Sequence, residues 1–301
     1  MDASSKKVIF AALAGNSLIA ITKFIAAVIT GSSAMMSEGI HSLVDTGNQG
    51  LLLYGLKRAK QPADEQFPFG YGKEIYFWSF VVALLVFALG AGISIYEGVH
   101  HILHPEPIKS VLINYVVLSL ALLFEGVAWY FAFTEFKKTK GDRSFIGAIH
   151  SGKDPTLFVV LFEDSAAMLG LVVAFVGVWL TQVTGILYFD GIASVIIGLI
   201  LTAVAFWLAF ETKGLLIGES ARNEVVSGIR MLVSGYAEVN KVGEVLTMHM
   251  GPDFILVNIS VDYCGDIPVG RVEALSAELN EAIKQRFSKV RRVFIDSRSI
   301  A

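Results

Sequence analysis

The sequence predicts an α-helical membrane protein with six transmembrane helices, followed by a small cytoplasmic α+β domain. Three observations lead to this prediction. Of the 301 residues, 54% are hydrophobic and 17% are charged, whereas soluble domains usually carry about 25% charged residues. The apolar residues fall in six runs, each long enough for the roughly 20 residues that a spanning helix needs. After the sixth run, the composition returns to that of a soluble domain.

The six apolar runs define the predicted spans in chain order. They are Val8 to Thr30, Ala34 to Leu56, Ile75 to Val99, Val111 to Phe133, Leu157 to Leu180 and Ile186 to Leu208. The first run follows two lysines, as a secretory signal would, but it is longer than the apolar region of about 7 to 15 residues in a signal peptide. It is therefore interpreted as a retained helix.

Lysine and arginine residues beside the spans predict the orientation, because cytoplasmic loops carry an excess of both. They collect before span 1, between spans 2 and 3, and between spans 4 and 5, whereas only Lys109 lies beside the opposite ends. Both termini are thus predicted to be cytoplasmic, which agrees with an even number of spans. The residues on the cytoplasmic side are Lys6, Lys7, Lys57, Arg58, Lys60, Lys73, Lys137, Lys138, Lys140, Arg143 and Lys153.

The soluble segment is predicted as a second domain over residues 213–301, after a transmembrane domain over residues 1–212. Charged residues become frequent again near Gly218, and the hydrophobic pattern that follows predicts helix, strand, strand, helix, strand. An αββαβ, ferredoxin-like domain results, small enough that a dimer interface would help to stabilise it. The predicted elements are Asn223 to Ser234, Val242 to His249, Phe254 to Asp262, Val269 to Phe287 and Val290 to Ile295.

Charge and cysteine content exclude several classes of protein. The net charge of −3 gives no basic field, so nucleic acid is not an expected partner. The single cysteine, Cys264, cannot form a disulfide within the chain. No HExxH motif or catalytic Ser/His arrangement occurs, so an enzyme is not expected, and no cofactor is predicted.

Span 2 carries a polar stripe at bilayer depth. Glu38, His41, Asp45 and Asn48 stand at i, i+3, i+7 and i+10, so they share one face of the helix. Ionisable groups at this depth cost at least ~2.5 kcal/mol each and mark function by default. His41 and Asp45 present a nitrogen and an oxygen ligand together, which favours metal binding. For Glu38 or Asn48 alone, interhelical hydrogen bonding is an equally good interpretation.

Span 5 carries adjacent carboxylates at Glu163 and Asp164. Neighbouring helical residues point about 100° apart, so at most one of them faces a given spot. Counted from the inner edge of the bilayer core, Asp45 lies about 13 Å deep and Asp164 about 10 Å deep, so one ion could bridge them. The alternative is that Asp164 pairs with Lys23 of span 1, which is itself interpreted as mainly structural.

Three segments together resemble the cation diffusion facilitator family. They are GSSAMMSEGIHSLVD, FPFGYGKE before span 3, and YFDGIASVIIGLIL at span 6. The resemblance covers nearly the whole chain, including six spans followed by an αββαβ domain. It implies a homodimeric exporter of a divalent metal, commonly zinc, in exchange for protons. The expected location is a bacterial inner membrane.

The resemblance also implies a tetrahedral transport site built from a ligand pair on each of helices 2 and 5. His41 and Asp45 match the first pair, and Asp164 matches the last aspartate of the second. Val160 stands at the fourth position and cannot ligate a metal, which departs from many members. A branch that includes a mitochondrial zinc transporter carries a glutamate beside the aspartate, so Glu163 is the candidate substitute. Asn48, Glu38 or water remain alternatives.

Weaker candidates lie outside this region. His100, His101 and His104 cluster with Glu97 at an outer helix end, where interfacial solvation is favoured over metal collection. Asp64 and Glu65 form an acidic pair in the loop after span 2, and Tyr71 stands where some relatives have histidine. Asp190 and Ser194 are expected to satisfy helix ends.

No metal is predicted in the C-terminal domain. His249 is its only histidine, and Gly243 and Ser260 stand where relatives place ligands.

These observations predict a secondary active transporter that exports a divalent cation, with zinc as the leading ion. Histidine with carboxylates suits zinc, and no cysteine or methionine cluster indicates copper. A manganese or iron exporter is the first alternative, and a membrane-anchored metal-sensing scaffold is the second. The polar stripe of span 2 argues against anchoring alone. The expected partners are the metal ion, protons, membrane lipid and a second copy of the chain.

Overall fold

The structure, a computed structural model, describes residues 3–140, 155–265 and 267–298, with side chains described from residue 16 onward except at 139, 140, 156 and 157. The described residues fall into two compact units. The first unit holds 3–57, 77–140 and 155–212, and the second holds 58–76 and the described residues after 212. Arg143 and Lys153, which entered the orientation prediction, lie outside the described residues.

A helix lies at each of the six predicted spans. The helices are α1 (Ala3–Thr30), α2 (Ser33–Ala59), α3 (Glu74–Leu85) continued by a π-helical turn (Val86–Ala91) and α4 (Gly92–Leu103), α5 (Val111–Lys140), α6 (Pro155–Thr184) and α7 (Tyr188–Ile217). Among the described residues, four stretches are long and apolar enough to cross a membrane, and they are Glu74–Leu103, Val111–Lys138, Phe158–Thr184 and Tyr188–Ile217. The count of six spans stays a prediction.

The turn between α1 and α2 is built from a glycine and a distant aspartate. Gly31 adopts a φ of 71°, in the left-handed region that ends many helices, and its N–H donates to the Ala27 carbonyl. The carboxylate of Asp190, near the start of α7, accepts hydrogen bonds from the Ser33 N–H at 2.5 Å and the Ser32 hydroxyl at 2.6 Å. Asp190 therefore caps the N-terminus of α2, as the sequence predicts.

Helices α4 and α7 approach each other through glycines. A Cβ atom added at Gly98 would lie 2.7 Å from the carbonyl oxygen of Gly191 and from the backbone nitrogen of Val195. Ser194 donates to the Ser94 carbonyl at 2.8 Å, inside the continuous helix, so the prediction that Ser194 satisfies a helix end is wrong. The absence of side chains at these glycines lets the two backbones come into direct contact.

The helix from Glu74 to Leu103 contains one π-helical turn. The N–H of Gly92 donates to the carbonyl of Phe87, five residues earlier, where an α-helix would use the fourth. Backbone conformation is right-handed helical on both sides of the turn. The helix thus continues through it.

The second unit contains the predicted αββαβ order. Its elements are α8 (Asn223–Ser234), β1 (Val239–Gly251), β2 (Phe254–Tyr263), α9 (Val269–Arg286) and β3 (Val290–Ser297). Strand β2 is central, antiparallel to β1 and parallel to β3. The core lies between the sheet and the helices and includes Ile229, Val257 and Leu279. The ferredoxin-like assignment stays a prediction.

The loop between α2 and α3 belongs to this second unit. A Cβ atom at Gly72 would collide with the carbonyl oxygen of Met250 at the end of β1, so only glycine allows this contact. Lys73 donates to the Leu216 carbonyl at 3.5 Å. The sequence assigned this loop to the transmembrane domain by position alone.

Candidate metal site

A cavity of about 340 Å³ lies among the helices of the first unit. Three carboxylates line it, from three different helices: Asp45 of α2, Glu125 of α5 and Asp164 of α6. Val160, one turn before Asp164, also lines it. The structure therefore brings Asp45 and Asp164 to one cavity, as a cation bridged between α2 and α6 would require.

His41 lies one helical turn before Asp45 on α2, and Asp45 lines the cavity. Its Nε2 is 3.5 Å from Oδ2 of Asp45, and the residue is only 1% exposed. Neither ring nitrogen of His41 has a hydrogen-bond partner among the described residues, and Oδ1 of Asp45 also lacks one there. Buried polar atoms are normally hydrogen-bonded, so these atoms are chemically available to a ligand.

Glu163 is hydrogen-bonded to Asn48 of α2. The Asn48 side-chain amide donates to Oε1 of Glu163 at 2.7 Å, and both residues are buried. Glu163 is not among the residues that line the cavity. The angular offset between adjacent helical residues thus directs Asp164 to the cavity and Glu163 to α2.

Lys23 is the centre of a buried polar network. Its ammonium donates to Oε1 of Glu125 at 2.7 Å, to Oγ of Ser42 at 2.8 Å and to Oε2 of Glu38 at 3.1 Å. Lys23 and Glu38 are both fully buried. The alternative in which Lys23 pairs with Asp164 is wrong in this structure, because the carboxylate partners of Lys23 are Glu38 and Glu125.

Glu125 is the site residue that the sequence analysis missed. It is the one carboxylate within the predicted span from Val111 to Phe133. The rule that an ionisable residue inside a span marks function was applied to spans 1, 2 and 5, and it applies equally here.

The four site residues predicted from sequence do not form a ready-made metal centre. Among the residues that the structure describes, no group of three His, Cys, Asp or Glu side chains converges closely enough to hold a metal ion.

The histidines at the end of α4 contact other side chains. The ring of His100 stacks near Tyr96, and the rings of His100 and His104 lie 5.0 Å apart. His101 is buried, with Nδ1 4.0 Å from a carboxylate oxygen of Asp190.

The acidic loop after α2 is organised around Asp64. The Tyr71 hydroxyl donates to Asp64 at 2.6 Å and the Phe67 N–H donates at 2.7 Å. These two hydrogen bonds, the first above all, lower the pKa of the Asp64 carboxyl. Asp64 thus fixes the conformation of the loop, and Glu65 is exposed.

Ser260 and His249, which the sequence analysis considered as possible metal positions, form contacts within the second unit. Ser260 accepts a hydrogen bond from Arg298 at 2.9 Å. His249 is buried, with Nδ1 3.5 Å from the Gly251 carbonyl oxygen.

Comparison with known families gives a match over most of the chain. The family described as cation efflux transmembrane domain matches residues 9–217. These residues include all of α2 and α7 and every residue of the cavity.

Three relatives illustrate the range of similar proteins. The human protein named proton-coupled zinc antiporter SLC30A9, mitochondrial, is 34% identical over 87% of this chain and 46% of its own length. Metal tolerance protein C4 of Arabidopsis thaliana is 29% identical over 89% of this chain and 59% of its own. Manganese efflux system protein MneP of Bacillus subtilis is 22% identical over 97% of this chain and 95% of its own. The chain spans about half the length of the human relative.

Proposed function

The chain belongs to the cation efflux family, and from this premise we propose that it is a secondary active transporter that exports a divalent metal cation in exchange for protons. We propose zinc as the leading cargo. The names of the relatives support this, since they include a proton-coupled zinc antiporter and a manganese efflux protein.

The observation that carries the proposal is the cavity shared by Asp45 and Asp164. Carboxylates buried among apolar helices are costly unless a charge offsets them. Among the described residues, Lys23 forms its ion pairs with Glu38 and Glu125. A dication entering the cavity would offset Asp45 and Asp164, and the imidazole of His41 would add a nitrogen ligand.

The proposed ligands are His41, Asp45 and Asp164, with Glu163 as the fourth candidate from sequence. Asn48 and Glu38 are accessory candidates. Glu163 would have to leave the Asn48 amide to reach the cavity. Imidazole with carboxylates suits zinc.

Manganese is the second candidate cargo. The walls of the cavity carry carboxylates and no thiolate, and carboxylate oxygen also suits manganese.

Exchange for protons follows from ligand chemistry. Metal binding needs ionised carboxylates and a neutral imidazole, so protons and metal compete for the same atoms. A site exposed alternately to the two sides of the membrane would load metal on one side and protons on the other.

The remaining parts of the proposal concern assembly and location. We propose six spans, cytoplasmic termini, a homodimer in lipid and a bacterial plasma membrane. The human relative carries the word mitochondrial in its name.

The test is cation flux into proteoliposomes, comparing zinc, manganese, iron, cobalt and cadmium. Asp45→Ala and Asp164→Ala should each abolish flux while the protein stays folded, because each removes a charged ligand. Asp253→Ala is the matched control, since Asp253 is an exposed carboxylate outside the cavity. Wild-type rates in the Asp45 and Asp164 variants would refute the site, and no flux of any cation by the wild type would favour the scaffold alternative.

A further inference from the structure

The cavity has no metal-binding side chain at the fourth ligand position that the family resemblance implies. Val160 occupies the position one turn before Asp164 and presents only carbon atoms to the cavity. Glu163 accepts a hydrogen bond from Asn48 and does not line the cavity. Glu125 lines it together with Asp45 and Asp164.

We propose that Glu125 of α5 is a ligand of the transported cation through its unpartnered oxygen, and that the Lys23 ammonium, bound to the other oxygen, competes with the cation for the charge of this carboxylate. This inference rests on the proposed function and deepens it. It replaces Glu163 by Glu125 as the source of the fourth ligand.

The two oxygens of Glu125 have different surroundings. Oε1 accepts a hydrogen bond from Lys23 at 2.7 Å. Oε2 is buried and has no hydrogen-bond partner in the part of the chain that the structure describes. One oxygen is thus held by the ammonium, and the other is free to bind a cation in a cavity that two further carboxylates line.

Glu38 provides the internal comparison, because it is the other carboxylate partner of Lys23. It does not line the cavity. Its Oε1 lies against Gly170 of α6, so closely that a Cβ at Gly170 would collide with it. Glu38 and Glu125 therefore share a counterion and differ in access to the cargo.

The network gives Lys23 a defined effect on affinity. A cation that binds Glu125 weakens the bond from Lys23, and the ammonium keeps its bonds to Glu38 and Ser42. Part of the binding free energy is therefore lost in weakening the bond between the ammonium and Glu125. Cation affinity is held lower than four free ligands would give, which favours release on the far side of the membrane.

The test uses two double variants with the same net charge as the wild type. Lys23→Gln with Glu38→Gln leaves Glu125 as the one carboxylate of the network, and Lys23→Gln with Glu125→Gln leaves Glu38. Zinc affinity is measured on the full chain in detergent by competition with a chelating dye, after size-exclusion chromatography has confirmed folding. We expect the first variant to bind zinc at least as tightly as the wild type, and the second to bind it about tenfold or more weakly.

Equal zinc affinities in the two double variants would overturn the inference, because Glu125 would then act only as a counterion. Asp45→Ala in the same assay separates this from failure of the proposed function. If zinc binding is lost in Asp45→Ala and equal in the two double variants, the role of Glu125 alone is wrong. If Asp45→Ala binds zinc as the wild type does, the site itself is wrong.

A second measurement applies even if a double variant does not fold. Glu125→Cys and Glu38→Cys are made in a Cys264→Ser background, since Cys264 is exposed and would itself bind soft metals. A thiolate ligand favours cadmium over manganese. We expect the ratio of cadmium to manganese affinity to rise at least tenfold in Glu125→Cys alone, and an equal rise in Glu38→Cys would contradict the proposal.

Discussion

The carboxylates inside the first unit differ in their hydrogen-bond partners. Asp190 is fully buried and accepts hydrogen bonds from a hydroxyl and from backbone N–H groups at the start of α2. Asp45 and Asp164 instead line a cavity, and one oxygen of Asp45 has no partner among the described residues. Asp190 is therefore a helix-capping carboxylate, whereas Asp45 keeps an oxygen that could bind a cation.

Because Asp190 caps α2 and does not line the cavity, removing its carboxylate should lower stability without lowering transport. Asp190→Ala should lower the free energy of unfolding by about 1–3 kcal/mol, because N–H groups at the start of α2 lose their buried acceptor. Flux per folded molecule should stay within a factor of about two. Thermal unfolding in detergent measures the change, with exposed Asp253→Ala as the control. A melting temperature equal to that of the wild type would contradict the cap.

His41 is expected to couple flux to the proton gradient. An unperturbed imidazole has a pKa of about 6.5, so a ligand of this type exchanges metal for protons near neutral pH. His41→Asn should reduce the response of zinc flux to an inward proton gradient more than it reduces zinc binding. Vesicles with and without a gradient measure this. Wild-type flux that ignores the gradient between pH 6 and 8 would favour facilitated diffusion over antiport.

Single residues were predictable from sequence where helical spacing decides their position. The spacing of His41 and Asp45 placed them within one helical turn, and the structure has them 3.5 Å apart. The pairing of Asn48 with Glu163 and the choice of partners by Lys23 depend on how α1, α2, α5 and α6 pack. One sequence without that packing does not contain this information. Glu125 is a different case, because its place inside the predicted fourth span was enough to mark it as a candidate.

At the scale of elements, close packing of α4 and α7 depends on glycine. Gly98→Ala should lower the free energy of unfolding by about 1–3 kcal/mol, because the new Cβ would lie within 2.7 Å of α7 backbone atoms. Gly50→Ala is the control, since a Cβ there meets nothing within 4 Å and alanine favours a helix. Both are measured by thermal unfolding. Equal melting temperatures in the two variants would mean that the helices can separate at little cost.

Sequence periodicity predicted where the helices and strands lie, but it did not always predict the residues at which they begin and end. Helix α8 has the bounds that the apolar pattern predicts, Asn223–Ser234. Strand β1 begins at Val239, three residues before the predicted start at Val242. Its first residues pair with the end of β2 at Tyr263 across an irregularity in register, so tertiary pairing extends the strand beyond its own alternating pattern.

For the whole molecule, the second unit has a hydrophobic core of its own. Side chains from both helices and all three strands contribute to it, among them Val233, Ile259, Ile283 and Val290. Removing residues beyond Gly218 should weaken self-association and slow transport without abolishing it, since the cavity lies in the first unit. Light scattering in detergent and flux in vesicles measure the two effects.

We also expect that the second unit dimerises by packing and binds no metal of its own. Zinc content of the full chain and of the truncated chain should then be equal per molecule. A full chain that holds one more tightly bound zinc than the truncated chain would contradict this expectation. Unchanged association after truncation would assign the dimer contact to the helices instead.

The π-helical turn at Val86–Ala91 determines where this helix can gain or lose one residue without changing its packing. A π-turn holds one residue more than the α-helical turn it replaces, so deleting one residue there would leave an ordinary α-helix. Deleting one residue elsewhere before Gly98 would rotate the rest of α4 by about 100° and turn Gly98 away from α7. Length variation among natural versions of this helix should therefore concentrate at that turn, and its sequence alignments should show a one-residue gap there.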